Sequence, residues 1–134
     1  MGGFLRFIYS AALMLMLVLS GAGYAAAPES ELLSEDEAAR FVEPPYALGN
    51  PIGEGSWELV NLDGRVAGYA FQSAPLAPLP GFSGAPIDIF VMITVEGRFI
   101  DVKLVKHNEP IFVSGLGEAP FRNFLTQYKG RSIT

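Results

Sequence analysis

Between residues 87 and 95 the chain alternates in the manner of a strand. Ile87, Ile89, Val91, Ile93 and Val95 fall on one side, and Asp88, Phe90, Met92 and Thr94 on the other. One side is wholly branched aliphatic and the other mixed, which fits a sheet packed on a core. Glu96-Gly97 interrupts the run, and a second apolar stretch follows over 99–106. The same arrangement occurs upstream, where 57–61 and 66–71 flank Asp63-Gly64, a hairpin-turn pair.

Helical patterning lies on both sides of these hairpins. Ser34-Glu35-Asp36-Glu37 has the spacing of a capping box, with acidic side chains near the positive end of the helix dipole. The helix over this region, within 28–42, should stop before Pro44-Pro45. Near the C-terminus, Pro120 suits a first turn, Phe121, Phe124, Leu125 and Tyr128 share a face, and Gly130 suits a stop. Residues 46–56, rich in Gly, Asn and Pro, read as a loop, and 74–80, with three prolines, as an extended connector. Residues 131–134 resemble the beginning of another strand. The expected fold is α+β, a single small domain of antiparallel hairpins packed against helices, truncated at its C-terminus.

The first 27 residues have a different character. Arg6 precedes an apolar run from Phe7 to Leu19 and a small-residue end containing Ala25 and Ala27, the layout of an export signal or an uncleaved anchor. Phe7 to Ala27 contains no charge and is just long enough to span a bilayer. The chain is therefore expected to divide into 1–27 as signal or anchor, 28–56 as acidic helix and loop, and 57–134 as the main domain. The expected location is the periplasmic side of a bacterial inner membrane.

Composition narrows the chemistry. The 134 residues suffice for one domain. A net charge of −5 leaves no basic face for nucleic acid. With no cysteine, disulfides, Cys-ligated zinc and iron–sulfur clusters are excluded.

Candidate chemistry gathers between Gly81 and Gly117. His107, the one histidine, and Glu109 are two apart, so in a strand they would share a face and could do acid–base work. Two such groups fall short of a metal site. Gly115-Leu116-Gly117 before a helix suggests an anion seat, although neither a dinucleotide fingerprint nor a Walker-type motif is present.

These pieces, in this order, resemble the FMN-binding domain family: Gly81-Phe82-Ser83-Gly84 with Pro86-Ile87, Gly97-Arg98 with Ile100, His107 with Glu109-Pro110, and Gly115-Leu116-Gly117. The family includes the NqrC and RnfG subunits of ion-pumping redox complexes and the periplasmic N-terminal domains of NosR-type flavoproteins. Residues 76–84 and 109–117 look most like the NosR type. The resemblance covers about 66–130. It departs from the family at its end, because the Ser-Gly-Ala-Thr motif whose threonine carries the FMN phosphate is absent and Ser132-Ile133-Thr134 does not replace it.

The resemblance implies a periplasmic FMN-binding electron-transfer domain supporting nitrous oxide reduction, a component of a membrane flavoprotein and not a stand-alone enzyme. The attachment residue is expected beyond Thr134, and this chain alone is expected to hold FMN weakly or not at all. The family likeness places Gly81, Phe82, Ser83, Gly84, His107, Glu109, Pro110, Gly115 and Gly117 around the cofactor or the loops that hold it. Redox proteins of a membrane electron-transfer chain, nitrous oxide reductase among them, would be its partners. Membrane association would come through the N-terminal segment or through helices beyond this chain. An NqrC- or RnfG-type subunit and a non-catalytic exported binding or sensory module are the alternatives.

Overall fold

A computed structural model describes residues 31–134. The expected export segment lies outside the described residues. Ser34 opens the first helix, α1 (Glu35–Ala39), through the full capping box: its hydroxyl accepts from the Glu37 amide, and the Glu37 carboxylate accepts from the Ser34 amide. The helix is shorter than the acidic stretch suggested, and the chain leaves it through turns at Arg40 and Phe41 well before the prolines.

Five strands follow: β1 (Ala47–Gly53), β2 (Ser56–Val60), β3 (Val66–Gln72), β4 (Asp88–Thr94) and β5 (Phe99–Lys106). They form one antiparallel sheet in the order β1-β2-β3-β4-β5. The α+β architecture of hairpins against helices is thus as the sequence implied. Asp63-Gly64 and Glu96-Gly97 make the hairpin turns, with Gly64 at φ 72° and Gly97 at φ 78°, where a Cβ would be strained.

Strand β1 corrects the reading of 46–56 as a loop. Gly49, Asn50, Pro51 and Gly53 disguise it, but an edge strand tolerates them, because a proline there need not donate to a neighbour. Its pairing with β2 is irregular on both sides of Pro51, and such irregularity hinders edge-to-edge association. The 74–80 connector also differs: α2 (Ser73–Leu76) makes a short helical turn before the chain becomes extended.

Both faces of the sheet are covered, and the mixed side of β4 is the deeper one. Phe90 and Met92 join Trp57, Leu59 and Ala70 beneath Ala38 of α1, with Leu33, Phe41 and Val42 alongside. Phe90 is fully buried and stacks on Phe41 at 5.2 Å between ring centroids. The aliphatic side, with Val91, Val102 and Leu104, packs under Leu125 and Phe121 of α3 (Ala119–Leu125). Of the helix face expected as core, Leu125 is buried and Phe121 half-buried, while Phe124 and Tyr128 remain exposed. The asymmetry follows the covering elements: α1 and the chain carrying Leu33, Phe41 and Val42 close the mixed side, whereas α3 covers the aliphatic side through Leu125 and Phe121 alone of its expected face.

The last residues return to the sheet. Ser132 bridges Arg98, the Phe99 amide donates to Arg131 O at 2.9 Å, and the Ile133 amide donates to Gly97 O at 3.0 Å. That is the strand-like pairing expected of 131–134. This antiparallel topology sorts the loops into two groups. Turns 61–65 and 95–97 and the tail lie at one end of the sheet, and loops 73–87 and 107–117 at the other.

Candidate functional site

The 81–84 turn is closed by its own backbone, with the Gly81 amide donating to Ala85 O and the Gly84 amide to Gly81 O. What orients it is Glu109. This buried carboxylate accepts from the Phe82 amide at 3.1 Å, from the Ser83 amide at 3.4 Å and from the Ser83 hydroxyl at 3.3 Å. Hydrogen bonds to a carboxylate are the stronger kind, and three converge here. Phe82, held at the tip, is 95% exposed.

His107 and Glu109 do not share a strand face, because β5 ends at Lys106. Instead Nδ1 of His107 accepts from the Glu109 amide at 3.1 Å, while Nε2 lies 3.2 Å from Oε1 of Glu118. Since Nδ1 accepts, the ring proton sits on Nε2 and donates to Glu118. The imidazole side chain is almost wholly buried, edge-on to Phe112 and Phe121, which stack on each other at 5.1 Å. Both ring nitrogens are thereby engaged, and the Glu109 oxygens face the other way. The pair forms two linked supports and not an acid–base couple.

Gly115 lies within a π-helical turn (Phe112–Leu116), and Gly117 follows it at φ 69°. The helix they precede makes a poor anion seat. Pro120 removes one amide, and Glu118 stands at the cap with its carboxylate directed to Arg122 at 2.7 Å and to His107. The Arg122 hydrogen bond above all, with Arg122's charge and His107 adding to it, holds the Glu118 carboxyl below its usual range despite the opposing effect of desolvation. Pro110 is exposed and begins the helical turn that runs into Phe112.

A second polar cluster went unnoticed in the sequence. Gln72 is fully buried, and its amide donates to Asp88 Oδ2 and to Glu31 O while its oxygen accepts from the Leu33 amide. Asp88 also accepts from the Ala74 amide, and Ser73 Oγ accepts from the Ile89 amide. Gln72 and Asp88 come together only through β3–β4 pairing, so their separation of 16 residues gave no cue. The available signal was a polar residue at the end of each of two otherwise apolar strands, which demands a partner when buried. Beside the cluster lies a cleft of about 260 Å³ lined by Glu31, Leu33, Glu37, Asp88, Lys106 and His107, among others.

No protein-family model matches the chain, and neither does any solved structure. Curated relatives do. The chain is 29% identical over 100 residues to the regulatory protein NosR of Stutzerimonas stutzeri, a stretch covering 75% of this chain and 14% of that protein. It is 30% identical over 115 residues to the regulatory protein NosR of Pseudomonas aeruginosa, covering 86% of this chain and 16% of that protein. It is 31% identical over 75 residues to the protein NirI of Paracoccus denitrificans, covering 56% of this chain and 11% of that protein. The chain is thus similar to NosR and NirI proteins and spans between 11% and 16% of their lengths.

Proposed function

We propose that this chain forms the periplasmic part of a NosR-like flavoprotein that carries electrons through FMN in support of nitrous oxide reduction. The observation that carries the reading is the likeness to regulatory protein NosR across 86% of the chain, which takes in both the 81–84 turn and the Glu109 support. Bound FMN would supply the one- and two-electron chemistry, while the protein supplies seat and orientation.

The described residues suit one half of that cofactor. Phe82 offers an exposed aromatic face, and at Gly84, Gly115 and Gly117 nothing stands within 4 Å of where a Cβ would be, so a flat ring can approach the backbone. They do not suit the phosphate. The cleft beside His107 carries Glu31, Glu37 and Asp88 against a single Lys106, and carboxylates repel a phosphate. The reading therefore keeps the phosphate anchor outside 31–134, on a threonine beyond Thr134.

The test compares this chain with the same protein extended by its native downstream sequence, both made in a flavinylating host. Denatured gels are then read for flavin fluorescence, and intact mass for added FMN. Fluorescence on the extended protein and none on residues 1–134 supports the reading. An extended protein that is exported, folded and without flavin overturns it. A second reading, a cofactor-free sensory module, is favoured by the saturation of Glu109 and His107 with contacts inside the chain. It would be adopted on that negative outcome.

A further inference from the structure

We propose that the end of the sheet bearing loops 73–87 and 107–117 docks against a lipid surface. Residues 73–87 contain no charged side chain, and neither do 110–117. On these stretches Leu76, Leu79, Ile111, Val113 and Leu116 are each more than half exposed, from 54% to 76%. None of the five belongs to the candidate cofactor set, so a bound ring at Phe82 leaves them in water. The opposite end of the sheet also exposes apolar groups, Leu62 and Val95 among them, but intersperses them with Asp63, Arg65, Glu96, Arg98 and Arg131. Among the described residues, only this end therefore presents exposed apolar side chains on charge-free stretches, 73–87 and 110–117, the carboxylate between them, Glu109, being buried. Charges stand at its margin: Glu31, Glu54, Lys106, Glu118 and Arg122. An apolar patch rimmed by charge marks an interaction surface.

The course of the chain indicates which surface. Gln72 fixes Glu31 and Leu33 to this same end of the sheet through two hydrogen bonds at 2.9 Å. Only three residues lie between Glu31 and Ala27, the end of the uncharged apolar segment, a reach of at most about 14 Å. The segment that would enter a bilayer thus joins the domain at the end where these exposed apolar side chains project. Apolar side chains brought to a membrane interface bury there without electrostatic help, and the acidic margin suits a zwitterionic surface better than an anionic one.

The absence of cysteine makes the test direct, because one introduced cysteine takes one nitroxide label. The full chain, including its N-terminal segment, is reconstituted in phosphatidylcholine vesicles as Leu79→Cys, Leu116→Cys or Leu62→Cys. All three positions are exposed, and matching circular dichroism spectra confirm that each variant is folded. Collision with oxygen, which partitions into lipid, is compared with collision with a neutral nickel chelate, which does not. Labels at 79 and 116 are expected to lose nickel accessibility and gain oxygen accessibility, while the label at 62 stays open to nickel. Labels at 79 and 116 as open to nickel as the one at 62 overturn the proposal. So does shielding from both reagents with spin–spin broadening, which would mean that a second copy of the chain covers the patch.

Discussion

The carboxylate of Glu109 occupies the space that a side chain on Gly81 would need. A Cβ built on Gly81 collides with Oε1 of Glu109 and also comes within 3.0 Å of Ile87. From that position the same carboxylate accepts from Phe82 and Ser83. Glycine at 81 is therefore required by the support and not by the backbone angle, since Gly81 is absent from the positive-φ positions.

Gly81→Ala should push Glu109 off its donors and cost about 1–3 kcal/mol, the penalty for leaving buried polar groups unpaired. Glu109→Ala removes the same bonds and should cost a similar amount. The double variant should cost clearly less than the sum, because either change alone already breaks the contact. Urea unfolding of the four proteins measures the coupling, and strict additivity would show that the two residues act independently.

The depth of the two sheet faces gives a second expectation. Phe90→Ala removes a fully buried ring that stacks on Phe41 and meets Trp57 at 5.9 Å, so a loss of about 3–5 kcal/mol is expected. Ile93→Ala lies on the aliphatic side at a half-buried position and should cost less than half of that. Equal losses would contradict the finding that the mixed side is the deeper core.

The hairpins were legible because alternation and turn chemistry are local: Gly64 and Gly97 sit where their dipeptides placed them. The capping box at Ser34 and Glu37 was legible for the same reason. Strand β1 was not, since Pro51 and three flanking turn formers give no alternation and only pairing with β2 holds it extended. The candidate site was half visible. Its residues were named, but the partition of Glu109 to the 81–84 turn and of His107 to Phe112, Phe121 and Glu118 depends on where β5 ends, and a periodic pattern locates that only to within a few residues.

Acid should weaken three surface contacts. Glu118 is held below the usual 4.5 chiefly by its hydrogen bond to Arg122, Glu43 by Lys103, and Glu37 by Ser34. A carboxyl depressed in the folded state stabilises fully above its unfolded value and loses that contribution as pH falls through the folded one. The difference between the parent and Glu118→Gln should therefore be present at neutral pH and vanish as the solution passes well below 4.5. Because these groups are fully exposed, the difference should be small and shrink with added salt. A gap that persists unchanged in strong acid would mean that Glu118 acts by shape and not by charge.

Gln72 provides the most discriminating substitution. Its amide group satisfies Asp88, Glu31 and Leu33 from a fully buried position, so Gln72→Ala leaves three polar partners to find others. A cost of about 1–3 kcal/mol is expected, with loss of hydrogen-exchange protection at the Leu33 amide ahead of the strand amides. Gln72→Glu preserves the shape but sets a second carboxylate against Asp88, and two like charges in a buried site repel. It should be the less stable variant at neutral pH and recover toward the parent on acidification, when a proton shared between the carboxyls relieves the repulsion. That recovery separates a hydrogen-bonded pin from simple filling of space. If Gln72→Glu shows no pH-dependent recovery and the Leu33 amide stays protected in both variants, the N-terminal segment is held to the sheet by the packing of Leu33 and Phe41 and not by Gln72.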